Sequence, residues 1–160
     1  MGRVVCMAML ATEKLVREFL LDSVKGDPTV HLHAVEHAYR RGVPDLEGQV
    51  AFLPGGAGGS FWMELKVAPR PRRPTTKVTP GEKLKAAQAN FLEDRCRAGG
   101  RAWVLLVVGG DACYLIPGRS ARLVGAIPEA QLAPWRVPLD PRIILTWAAG
   151  GGQTWQYTTC

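Results

Sequence analysis

The sequence predicts an α/β fold in which a mixed central β-sheet is flanked by helices. Segments with helical periodicity and segments with strand character follow one another in the order α-β-β-β-α-β-β, with further short pieces beyond. Residues 101–108 form, after the leading Arg101, a continuous apolar run, the mark of a strand buried on both faces. No internal repeat and no composition break divides the 160 residues, so a single domain of 1–160 is expected.

The elements follow in chain order. Thr12 is a helix N-cap, and Leu15, Val16, Phe19 and Leu20 share one face of the helix that follows. Lys25-Gly26-Asp27-Pro28 ends it. Residues 29–35 alternate apolar and polar side chains and read as a strand, with His31 and His33 on one face. Residues 46–53 and 60–67 read as two more strands, joined by the Gly-rich hairpin loop 54–59.

Residues 68–81 hold four prolines and no apolar periodicity, so an extended loop is expected there. A helix over 82–98 stops at Gly99-Gly100. Residues 101–108 and 112–116 are strands about the turn Gly109-Gly110-Asp111. Beyond Pro117 the pattern weakens; residues 143–147 read as one more strand and the tail as irregular or peripheral. The core is therefore placed at about 12–117, and 118–160 form a C-terminal extension.

With 47% apolar and 21% charged residues the composition is that of an ordinary globular protein. The net charge is +6, and residues 66–101 carry ten basic side chains against three acidic ones. That concentration suits a polyanionic partner, or equally a solubilising surface. The four cysteines lie far apart without zinc-ligand spacing, and the apolar run at residues 4–11 is too short to span a membrane. A cytoplasmic location follows by default.

The chemistry concentrates in Gly42-Val43-Pro44-Asp45 and, after 18 intervening residues, in Glu64-Leu65-Lys66. Period-two geometry puts Glu64 and Lys66 on one face of a strand. Paired carboxylates with an adjacent amine suit a hard divalent ion and a metal-activated water, the requirements of phosphodiester hydrolysis. Gln88 stands midway between Leu84 and Leu92 on the apolar stripe of the helix over 82–98. An amide there needs partners, either backbone groups or the acidic site itself.

The motifs Gly42-Val43-Pro44-Asp45, Met63-Glu64-Leu65-Lys66 and Gln88-Ala89-Asn90-Phe91-Leu92, in that order, resemble those of the PD-(D/E)XK nuclease superfamily. Within it the chain is similar to the small phage and archaeal Holliday-junction resolvases and to stand-alone VRR-NUC domains. The resemblance implies a restriction-endonuclease-like core and an endodeoxyribonuclease that makes paired incisions in four-way junctions as a homodimer. Flap, branch or duplex cleavage, or a non-catalytic DNA-binding role, are the alternatives. It further implies that Asp45, Glu64 and the Leu65 carbonyl hold Mg²⁺, for which Mn²⁺ substitutes. Lys66 would position the attacking water, and Gln88 matches the family's glutamine near the site. A first-helix glutamate would complete it; Glu13, nearer the edge of the apolar face than Glu18, is preferred.

Arg70, Arg72, Arg73 and Lys77 on the Pro-rich loop are candidate phosphate contacts, with Arg40 and Arg41 on one flank and Lys83 and Lys85 on the helix. His31, His33 and His37 lack a third ligand at zinc spacing. Trp135, Trp147 and Trp155 are open among core, base-stacking and interface roles.

Overall fold

A computed structural model describes residues 10–36, 41–51 and 58–150 of the chain. Six strands form one sheet in sequence order: β1 (Val30–Ala34), β2 (Leu46–Val50), β3 (Gly59–Ala68), β4 (Ala102–Val108), β5 (Ala112–Pro117) and β6 (Arg136–Val137). All neighbours are antiparallel except β3 and β4, which run parallel. The helix between them, α2 (Ala86–Arg97), is the crossover that parallel pairing demands. The expected α/β architecture, a mixed central sheet flanked by helices, is the observed one.

Helix α1 (Glu13–Ser23) begins where the Thr12 hydroxyl accepts the Leu15 N–H. Its Val16 and Leu20 are buried on one face of the sheet against Leu46, Met63, Leu65 and Leu105. The opposite face, with Val104, Leu106 and Ile116, is covered by Ala89 and Leu92 of α2 and by two 3₁₀ segments, Gly118–Leu123 and Glu129–Trp135. Every residue of β4 is buried, as the apolar run predicts, and so is every residue of β5.

Two expectations change. The second helix starts at Ala86 rather than residue 82, so Leu84 precedes it and only Leu92 of the expected stripe is fully buried. Residues 143–147 lie in a helix, α3 (Pro141–Ala148), and not in a strand. Asp140 caps it by accepting the Arg142 and Ile143 N–H groups, and Pro141 supplies the fixed φ of a first helical residue. That start signal outweighs the strand preference of Ile143 and Ile144.

Helix α3 belongs to the core. Ile144, Leu145 and Ala148 pack in the same cluster as α1, and Trp103 donates its indole N–H to the Ala148 carbonyl at 2.9 Å. Trp147 packs against that cluster and Trp135 against the other, which gives both a packing role. Trp155, His37 and most of the 54–59 loop lie outside the described residues. Among those described, no helix is long and apolar enough to cross a membrane.

Candidate active site

The site lies where β2 and β3 part. Their ladder ends at the pair Leu46–Met63, whereas β3 stays beside β4 as far as Ala68–Val108. Beyond Met63, one edge of β3 therefore has no strand beside it. Asp45 fills the first vacancy with its side chain, Oδ2 accepting the Leu65 N–H at 2.8 Å. Two residues on, the Val67 carbonyl accepts the Gly81 N–H at 3.0 Å. The N–H and C=O of a strand residue point to the same side, so the Leu65 carbonyl shares this edge. Gly42 allows Asp45 its position: its φ is +89°, and a Cβ there would stand 2.6 Å from the Ala87 carbonyl oxygen.

A cleft of about 450 Å³ opens at the split, walled by Glu13 and Arg17 of α1, Asp45, Leu65 and Gly81-Glu82. Behind it runs a hydrogen-bonded network. Lys66 Nζ donates to Glu64 Oε1 at 2.8 Å and to Glu13 Oε1 at 3.2 Å. Gln88 Nε2 donates to the same Glu64 oxygen at 2.5 Å, and the Gln88 Oε1 accepts the Lys85 N–H at 2.9 Å. Glu64 is fully buried, Lys66 nearly so, and Glu64 Oε2 has no hydrogen-bond partner among the described residues.

Glu13 and Glu64 thus share one ammonium, and the charge of Asp45 acts on both carboxylates. Burial, followed by the charge of Asp45, pushes the Glu64 carboxyl up to about 7, against the pull of Lys66. Burial also raises Glu13, offset by Lys66 and reinforced by Asp45 and Glu82. Burial alone would lower the Lys66 pKa, but Glu64 and Glu13 together outweigh it, so the amine is held as an ammonium. It is a charge donor here and not a base.

An oxygen-only donor set, an excess of negative charge and an orphaned buried carboxylate oxygen are what a hard divalent cation satisfies. In the present arrangement, among the described residues, no three acidic, His or Cys side chains are grouped to hold an ion. Lys66 stands between Glu13 and Glu64, and Asp45 is turned to the Leu65 amide. The donor chemistry fits the metal, and the side chains would have to regroup to bind it.

The structure brings together Glu13, Asp45, Glu64, Leu65, Lys66 and Gln88. Glu18 faces away and pairs with Lys14 at 3.8 Å. Of the candidate phosphate contacts, Arg72, Arg73, Lys77, Lys83, Lys85 and Arg41 are exposed, and Arg40 lies outside the described residues. Arg70 is committed elsewhere: its guanidinium meets Asp111 at 2.7 Å and Glu129 at 3.3 Å. Glu129 also accepts the Tyr114 hydroxyl, so Arg70 pins the loop to the β4–β5 turn and the second 3₁₀ segment. His31 and His33 stack edge to face on the exposed strand β1, with His33 3.8 Å from Glu47.

Three charged cleft residues escape the motif reading, Lys14, Arg17 and Glu82. Arg17 sits four residues after Glu13, a spacing that signals a shared helix face. Nothing local signals Glu82, which arrives through the Gly81–Val67 backbone bond.

The fold and site define an α/β protein with a buried carboxylate–lysine–glutamine network at a split in a mixed sheet. No protein-family profile matches the chain, and no curated protein matches it in sequence. Among solved structures the chain is similar to Archaeoglobus fulgidus Hjc, a Holliday junction resolvase from an archaeal hyperthermophile. The match has 19% identity, covers 68% of this chain and 78% of that one, and has a TM-score of 0.42.

Proposed function

We propose that this protein is a metal-dependent endodeoxyribonuclease whose preferred substrate is a four-way DNA junction. The observation that carries the catalytic reading is Glu64. Its Oε1 is fixed by Lys66 and Gln88 while its buried Oε2 is left without a partner beside Asp45's charge. A buried carboxylate oxygen left bare costs about 1–3 kcal/mol or more, and a cation removes that cost.

Asp45, Glu64, Glu13 and the Leu65 carbonyl would hold Mg²⁺ or Mn²⁺. When bound, such an ion polarises a phosphate oxygen and acidifies water. The residues of the chain supply the rest. Gln88 fixes the rotamer of Glu64 from the first turn of α2. Lys66, held protonated, orients the attacking water and stabilises the negative charge that develops on phosphate. Arg41, Arg72, Arg73, Lys77, Lys83 and Lys85 are exposed cations available to the DNA backbone.

The junction substrate and the homodimer rest on the resemblance of the motifs to the small resolvases, since paired incisions need two sites at a fixed separation. Cleavage of a synthetic four-way junction and of a linear duplex, with Mg²⁺ or EDTA, tests the reading. The expected result is junction cleavage that EDTA abolishes and that Asp45→Ala or Glu64→Gln lowers by at least about 10²-fold. Activity that survives EDTA or Asp45→Ala would sink the metal site. Equal cutting of duplex and junction, or cutting of flaps alone, would leave a nuclease and remove the resolvase. Binding without cutting would make the chain a non-catalytic module. Sedimentation of the protein on junction DNA tests the dimer.

A further inference from the structure

The α1 wall of the cleft is cationic, although the interior is acidic. Arg17 lines the cleft together with Glu13, Asp45 and Leu65 and is partly buried there. Despite those carboxylates, it has no hydrogen bond or ion pair among the described residues. Glu13 is given to Lys66, and Lys14, the other cation on this wall, is paired with Glu18 at 3.8 Å. The first turn of α1, at Thr12 and Glu13, also faces the cleft, and its N–H groups add positive potential.

An arginine in such a position is expected to collapse onto the nearest carboxylate unless that carboxylate has a closer partner. Here Lys66 is that partner, and it leaves the guanidinium open. An unpaired planar fork at the mouth of a cleft matches a phosphate group, which it can grip through two parallel N–H···O bonds. Four residues of helix carry Arg17 about 6 Å along the axis from Glu13. That reach is comparable with the separation of successive phosphates on one strand.

Resting on the nuclease reading, we propose that Arg17 is the phosphate-binding residue of this site. It grips the non-bridging oxygens of the backbone phosphate next to the one that is cut. Its contribution is to seat the strand, so that binding suffers more than turnover when it is lost.

Fluorescence anisotropy of a labelled four-way junction, with Ca²⁺ replacing Mg²⁺ and salt varied, tests this in wild type, Arg17→Ala, Arg17→Lys and Lys25→Ala. Lys25 is an exposed residue at the far end of α1, and its loss removes the same unit of charge. Arg17→Ala is expected to bind about tenfold more weakly, with the slope of log K against log salt reduced by about one. Arg17→Lys should recover part of the affinity, and Lys25→Ala should match wild type. With Mg²⁺, the KM of Arg17→Ala should rise more than its kcat falls, with unchanged thermal unfolding.

Wild-type affinity and salt slope in Arg17→Ala, or an equal loss in Lys25→Ala, would overturn the assignment and leave the nuclease standing. A wild-type protein that neither binds nor cuts DNA would overturn both.

Discussion

Gln88 ties the start of α2 to Glu64: its amide nitrogen lies 2.5 Å from Glu64 Oε1 while its oxygen accepts the Lys85 N–H at 2.9 Å. One side chain thus caps a helix and fixes a buried carboxylate. Gln88→Ala removes both contacts, and a lost cap together with a lost buried hydrogen bond is worth roughly 2 kcal/mol. Urea unfolding at neutral pH should show that loss. Under the proposed mechanism, cleavage should fall as well, because Glu64 is no longer oriented.

Glu64 makes stability depend on pH in a defined direction. Its carboxyl titrates at about 7 in the fold against an ordinary 4.5, with burial the main cause. The folded state therefore holds a proton that the unfolded state releases. The contribution of Glu64 to stability should be greatest below about pH 4.5, fall as pH rises to about 7, and level off above. The full fall corresponds to roughly 3 kcal/mol. Glu64→Gln should flatten this part of the profile and stabilise the metal-free protein at pH 8, while abolishing cleavage.

Divalent ions should act in the opposite sense. A carboxylate ligand must be deprotonated to bind, so Mg²⁺ should raise Tm more at pH 8 than at pH 6. Calorimetric titration in buffers of different ionisation enthalpy should show proton release near pH 6. Both effects should vanish in Glu64→Gln; a pH-independent rise in Tm would point to ion binding elsewhere on the surface.

Arg70 and Arg72 should separate cleanly, although only one residue lies between them. Arg70 is engaged by Asp111 and Glu129, whereas Arg72 is exposed. Arg70→Ala should lower Tm, less so at high salt, because partly exposed ion pairs are screened. Under the nuclease reading, Arg72→Ala should leave Tm unchanged and reduce the salt slope of DNA binding by about one.

Asp140 should prove structural. Its carboxylate accepts the N–H groups of Arg142 and Ile143 at the start of α3. Asp140→Ala should cost about 1 kcal/mol. The change would appear in chemical unfolding and leave the cleft untouched.

Much of the fold is legible locally. The Thr12 cap, the alternation along β3 and the apolar run of β4 each express a preference that near neighbours set, and each is found in the structure. Helix α3 was hidden because Ile143 and Ile144 resemble a strand core, while Asp140-Pro141, the start signal, sits just outside the apolar segment. At the site, the same-face placement of Glu64 and Lys66 follows from strand geometry alone, and the two side chains do meet at 2.8 Å.

The sequence by itself determined the α/β order, the strand bearing Glu64 and Lys66, and a surplus of positive charge in residues 66–101. Only the tertiary structure decided which charges are free. Arg70 is consumed by acids 41 and 59 residues away, while among the described residues Arg17 has no such partner, because Lys66 takes Glu13 from 53 residues away. Backbone periodicity arises from contacts between near neighbours and can be read along the chain. A charge feels every group within a few ångströms whatever its sequence distance, so its state is fixed only once β2 and β3 part and α1 closes over the gap.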